Sequence, residues 1–191
     1  MLNDSISELV AVLSELEGSI TEQYLNDVVS AITICLKRGN KILLIGNGGS
    51  AAEAQHMAAE YAATLSCKNF RDGFPAIALT TDTSFLTAWS NDFGVQDIFS
   101  RQVETLGSEG DVLFAYSTSG NSENVIRAVK AANKKNIKVI SFLGNDGGLI
   151  LGNSDWYLLA PSTNTARIQE CHTLLGHTIC SMVEKEMGYI F

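Results

Sequence analysis

Five short apolar runs, each bounded by turn residues, constrain this chain most: KILLI (41–45), AIALT (76–80), VLFAYS (112–117), KVISFLG (138–144) and WYLLA (156–160). KILLI reads as a fully buried strand, and the other four have the same character. Between them the spacing predicts an Ala-rich helix from about Ser50 to Leu65 and helical stretches near 83–90, 95–106 and 121–135. A last helix is expected from about Asn164 to Met187, with Ser162, Thr163 or Asn164 as its cap. Strands alternating with helices predict an α/β fold: a doubly wound, mostly parallel five-stranded sheet flanked by helices. Two long amphipathic helices, 2–17 and 19–38, precede the sheet, and Gly39-Asn40 ends the second. With 191 residues the chain fits one domain, residues 1–39 serving a subunit interface and 40–191 forming the sheet-containing core.

Charge narrows the partners. Thirteen basic against 21 acidic residues give a net charge of −8, a poor basis for general nucleic-acid binding, which needs clustered Lys and Arg. An anionic ligand must then be held by local backbone dipoles. No run approaches the roughly 20 apolar residues of a membrane span. The start, MLNDSISELV, lacks a basic segment followed by an apolar core, so a cytoplasmic protein is expected. Cys35, Cys67, Cys171 and Cys180 include no CxxC pair, and thiols rather than disulfides are expected.

In open α/β sheets, ligands bind beyond the carboxyl ends of strands. Two such ends are rich in small polar residues: Gly46-Asn47-Gly48-Gly49-Ser50 after KILLI, and Ser117-Thr118-Ser119-Gly120-Asn121-Ser122 after VLFAY. Glycines let backbone N–H groups approach a ligand, hydroxyls add donors, and the start of the following helix favours an anion. Together the loops suggest a phosphate or polyhydroxy ligand; the plainer reading is two tight turns with capping serines. Gly46, Gly48 and Ala51 also match GxGxxA loosely. A dinucleotide fold wants an acidic residue about 20 positions on, whereas Asp82 lies 34 residues after Gly48.

On the helix after the first loop, His56 and Glu60 are four apart and project from one face. The last helix carries Gln169, His172 and His177. Gln169 and His177 lie about 12 Å apart along the axis, so both could reach one ion only if it lay between them or if neighbouring chains shared the work. Two imidazoles, a carboxylate and an amide oxygen form a mixed set that suits zinc or a similar divalent ion. His172 is the rival ligand. The plainer readings are a surface ion pair for His56–Glu60 and a core histidine for His177. Asn91 and Asp92 add polar groups before another helix, where capping is their plainer role.

From about residue 40 to 188 the chain resembles the phosphoheptose isomerases of the sugar isomerase domain superfamily. The resemblance rests on GNGGSAAEAQHMAAE (46–60), PAIALTTDTS (75–84), NDFGVQDIFSRQVE (91–104), GDVLFAYSTSGNSENV (110–125) and ARIQECHTLLGH (166–177). It implies that Asn47, Gly48 and Gly49 of the first loop, whose last residue is Ser50, contact substrate together with Asn91 and Asp92. It assigns Ser117, Thr118, Ser119 and Ser122 to the phosphate. Zinc, one ion per subunit, would be ligated by His56, Glu60, Gln169 and His177, which chooses His177 over His172. Homotetramers with sites at subunit contacts, and a product feeding bacterial surface heptose synthesis, are implied too.

Within that resemblance, Glu60 is the expected base for a proton moved between C1 and C2 through a cis-enediol(ate), His177 the partner acid, and Gln169 the orienting group. The chain departs from the family where many members carry a basic residue four positions after the glutamate: here it has Thr64, with Lys68 or Arg71 as substitutes. The alternatives are an isomerase of another sugar phosphate, a non-catalytic binding protein of the same fold, resembling the replication-initiator-associating type, and a sugar-phosphate sensor. The binding relatives lack the glutamate and final histidine, both present here. The sensor would need a DNA-binding domain, for which about 40 residues before the first strand leave little room.

Overall fold

A computed structural model of the chain describes residues 1–67 and 70–189. Strands β1 (Ile42–Ile45), β2 (Ala76–Ala78), β3 (Val112–Ser117), β4 (Lys138–Gly144) and β5 (Trp156–Ala160) form one sheet in the order β2-β1-β3-β4-β5. Every pairing is parallel, so the sheet is fully rather than mostly parallel. The helices are α1 (Leu2–Ser19), α2 (Glu22–Lys37), α3 (Gly49–Ala62), α4 (Thr83–Phe93), α5 (Ile98–Leu106), α6 (Glu123–Lys134), α7 (Gly148–Leu151) and α8 (Thr165–Glu186).

Side chains alternate between the faces of each strand, and the two faces build separate cores. Ile42, Leu44, Phe114, Tyr116 and Phe142 pack with α2, α3 and α8 through Ile32, Met57 and Ile179. Leu43, Ile45, Leu113 and Val139 pack with α5 and α6 through Phe99, Val103, Val125 and Val129. Strand order reverses between β1 and β3, so the chain leaving β1 and the chain leaving β3 part to opposite sides. That divergence opens a crevice beyond their carboxyl ends.

Four features differ from the expectation. β2 stops at Ala78 because Leu79 turns into the core, its N–H donating to the Leu44 carbonyl at 2.9 Å. Ile77 on this edge strand stays 42% exposed, so coverage of the sheet thins there. α4 runs on to Phe93 and buries none of its residues. α7, one turn long, is too short to leave a periodic signal. The N-terminal helices lie on the α8 side of the sheet, and α1 leaves Leu2, Ile6 and Val10 exposed at helical spacing. Among the described residues, no helix is long and apolar enough to cross a membrane.

Candidate active site

Both polar loops open into the crevice. α3 starts at Gly48 (φ 55°) and α6 at Ser122, and neither start carries a side-chain capping bond. Elsewhere α2, α4 and α8 are capped by Thr21, Asp82 and Asn164. α5 and α7 likewise lack a capping bond, so what sets this pair apart is its place at the crevice, where backbone dipoles favour an anion. The loops are tied together by a reciprocal amide pair: Asn47 Nδ2 donates to Asn124 Oδ1 at 2.8 Å and Asn124 Nδ2 to Asn47 Oδ1 at 2.9 Å.

Ser50 is buried in the first turn of α3 and Ser117 at the end of β3, its Oγ 3.4 Å from Ser122 Oγ. Thr118 is half-buried and Ser119 exposed. Asn121 braces the second loop, donating to the Ser119 carbonyl at 2.9 Å and accepting from Leu149 N–H at 3.1 Å. At Gly120 (φ 62°) a Cβ would overlap the Gly147 carbonyl, so the loop lies directly on the start of α7. A cavity of about 310 Å³ adjoins it, lined by Thr118, Ser119, Asn145, Asp146 and Thr165 among others. A larger cavity, about 940 Å³, lies between the α1–α2 turn and β5, lined by Tyr24, Tyr157 and Pro161 among others, and holds none of the expected site residues.

The second half of the site lies between α3 and α8, which run side by side in a register that repeats along both. Gly49 faces the Gln169 amide, and Glu53 Oε2 accepts from Thr173 Oγ1 at 2.7 Å. His56 Nε2 then meets His177 Nε2 at 2.7 Å, and Gly176 packs on Met57. Glu60 Oε1 is 3.7 Å from His56 Nδ1. The donor atoms of His56, Glu60 and His177 all lie within 4.8 Å of one another. Two imidazoles and a carboxylate this close, half-open to solvent, fit zinc or a similar divalent ion. Gln169, the fourth expected ligand, is on the same face of α8, but its amide packs at the Gly49 end of α3, about two turns from His56. Glu53 and Thr173 escaped the sequence reading; their signal was spacing, Glu53 at i−7 from Glu60 and Thr173 midway between Gln169 and His177.

Several expectations are corrected. His172 is a core residue: fully buried, its Nε2 pairs with the Leu143 carbonyl at 2.9 Å, and burial pushes its pKa down to about 4. Asn91 and Asp92 cap nothing. They lie exposed in the last turn of α4, bonded to each other at 2.8 Å, while Asp97 takes the position before α5. Thr64 donates to the Ser66 carbonyl at 3.2 Å, and Lys68 falls outside the described residues. Arg71 is only 4% exposed and bonds to protein groups, so it is no substitute cation for a substrate.

A parallel sheet with a ligand crevice at its switch point is common to many α/β proteins; the class is given by the family model described as SIS domain, which matches residues 6–144. A phosphoheptose isomerase of Aquifex aeolicus is 52% identical over 163 residues, 85% of this chain and 84% of that one. That of Aliarcobacter butzleri is 54% identical over 154 residues, 81% of this chain and 80% of its own. The solved phosphoheptose isomerase of Neisseria gonorrhoeae superposes with a TM-score of 0.88 at 43% identity, over 96% of this chain and 97% of that one. The chain belongs to the phosphoheptose isomerase family.

Proposed function

We propose that the chain interconverts sedoheptulose 7-phosphate and D-glycero-D-manno-heptose 7-phosphate, in the synthesis of heptose for bacterial surface polysaccharides. The observation that carries this is the convergence of His56, Glu60 and His177 between α3 and α8, beside two helix starts left open to an anion. The amides and hydroxyls of Ser117, Thr118, Ser119 and Ser122 hold the phosphate. Asn47, Gly48, Gly49 and Ser50 line the sugar, with Gln169 orienting it from α8. Asn91 and Asp92 contact substrate from α4.

His56, Glu60 and His177, with Gln169 as fourth donor, would hold zinc, which when bound polarises the carbonyl as a Lewis acid. Glu60 takes the proton from C1 of the ketose and returns it to C2, and His177 moves the balancing proton between the oxygens on C1 and C2. The intermediate is a cis-enediol(ate), and no external oxidant or reductant is needed. Glu60 cannot grip an ion tightly and accept a proton together, so its hold on the ion is loose. We further infer that the protein works in the cytoplasm as a homotetramer of one-domain subunits, the exposed face of α1 lying at contacts between copies.

The test is conversion of sedoheptulose 7-phosphate followed by NMR, with chelator and with zinc restored. Turnover that needs the metal and disappears in Glu60→Gln and His177→Ala is expected. Ordinary turnover by Glu60→Gln overturns the assignment of the base, and zinc-loaded protein without turnover overturns the substrate. A folded protein that binds the sugar phosphate without metal or turnover is a binding module.

A further inference from the structure

Arg71, offered by the sequence as a substitute cation for substrate, is spent inside the protein, and on groups that belong to the site. Its Nε donates to Glu184 Oε1 at 2.6 Å. Nη1 donates to the carbonyls of Tyr61 at 2.9 Å and Asp72 at 3.0 Å, and Nη2 to the carbonyl of Glu60 at 2.8 Å. The guanidinium lies 4.0 Å over the Phe74 ring. Both side chains are essentially inaccessible, at 0% and 1% exposure. The same Glu184 oxygen accepts Leu65 N–H at 3.1 Å.

The last carbonyls of a helix have no partner within it, and in α3 two of these belong to Glu60 and Tyr61. Arg71 satisfies both and fastens them to α8, about two turns beyond His177. A buried ion pair is a weak source of stability, since apolar residues of similar volume often serve as well. This one also leaves Glu184 Oε2 without a hydrogen-bond partner among the described residues. What an apolar pair could not supply is a directed hold on the main chain of Glu60.

We propose that Arg71 and Glu184 form a positioning clamp that sets Glu60 against His177 across the α3–α8 seam. The clamp rests on the reading of His56, Glu60 and His177 as the metal and proton-transfer centre. Its planar fork requires Arg specifically, because an ammonium cannot reach four acceptors in fixed directions.

The test uses the full chain with cobalt(II) as probe, measuring its affinity and visible spectrum beside thermal unfolding, kcat and KM. Arg71→Met with Glu184→Leu removes both charges together; Arg71→Lys keeps the charge and loses the fork. The double variant takes hydrogen-bond partners from the Leu65 N–H and from the carbonyls of Glu60, Tyr61 and Asp72, so it is expected to fold but unfold below the wild-type temperature. It should bind cobalt at least about tenfold more weakly, with a changed spectrum and a kcat that falls more than KM rises. Arg71→Lys should show the same pattern. Wild-type affinity, spectrum and kcat in the double variant make the pair merely structural and overturn the clamp. Should the double variant not fold, Arg71→Lys decides: a lower unfolding temperature with unchanged cobalt affinity and spectrum overturns it equally. Wild-type protein that takes up no cobalt overturns the metal reading and the clamp with it. Cobalt uptake without turnover overturns the substrate alone, and the clamp is then judged on affinity and spectrum.

Discussion

Replacing Gly176 by alanine tests whether the α3–α8 spacing defines the site. On an open helix face this change stabilises by about 1 kcal/mol through helix propensity. Here a Cβ would lie 2.8 Å from Met57 Sδ, 3.3 Å from Cγ and 3.4 Å from Cε. Ordinary contact starts near 3.4 Å, so about 0.6 Å must be found. Met57 is fully buried and next to His56, leaving little slack in the seam. Overpacking of this kind costs about 1–3 kcal/mol, so the methyl group is expected to cost the protein about 0–2 kcal/mol net. In a chain of this size that lowers Tm by up to about 8 °C. Gly18→Ala, with nothing within 4 Å, is the control and should raise Tm slightly. Because His56 and His177 flank the contact, zinc affinity should fall about tenfold in Gly176→Ala. Calorimetry and zinc competition against a chromophoric chelator read both quantities. A Tm raised as in the control, with zinc affinity unchanged, would refute the reasoning.

Asn124→Ala breaks both bonds between the loops and should cost about 2 kcal/mol. On the proposed reading the loops hold ground and transition states alike, so KM for sedoheptulose 7-phosphate should rise more than kcat falls; steady-state kinetics with unchanged KM would argue otherwise. His172 has its folded pKa pushed down to about 4 by burial, so below pH 6.5 the unfolded chain takes up a proton that the folded one refuses. Stability should fall by about 3 kcal/mol in total as pH drops from about 6.5 through 4, and denaturant titration of His172→Gln should show a flatter profile. Burial pushes the Asp111 carboxyl up, but bonds from Lys41 Nζ and N–H, Ser108 N–H and Asn40 outweigh it and hold the pKa below its ordinary value. Its contribution is therefore present above the unfolded carboxylate pKa and lost as pH falls through the lower folded one. Asp111→Asn should lower Tm at neutral pH by about 4–8 °C and lose less than wild type on acidification, as scanning calorimetry across pH would record.

The inner sheet was legible because burial on both faces leaves an unbroken apolar run: VLFAYS and KVISFLG are strands over their whole lengths, and so is WYLLA, although this edge strand leaves Tyr157 exposed. AIALT was read two residues too long, since at an edge the same apolar letters can turn inward as Leu79 does. His56 and Glu60 were legible as neighbours on one helix face. Their partner on α8 was not fixed by spacing. His172 and His177 are five residues apart, about 140° around a helix of 3.6 residues per turn, so only one can face α3. Which one depends on the rotation of α8 against the sheet, and the Leu143 carbonyl takes His172. Gln169, Thr173 and His177, each four apart, stay within about 80° and meet α3 together. Arg71 was offered as a substitute cation for substrate because its partner, Glu184, lies 113 residues away. No local pattern could pair them.

The two halves of the site have separate physical origins, and this makes them separable by mutation. The anion end comes from topology alone: strand order reverses between β1 and β3, and two uncapped helix starts follow. The chemical end depends on side chains set by α3–α8 packing, which the first loop meets where Gly49 faces the Gln169 amide, well away from Glu60. Glu60→Gln should therefore leave the cradle of Ser117, Thr118, Ser119 and Ser122 intact. Calorimetric titration should find sedoheptulose 7-phosphate bound to that variant within a few-fold of the wild-type affinity while turnover is lost. Loss of binding together with turnover would mean that Glu60 holds the ground state too, and that the crevice and the helix seam form one inseparable unit.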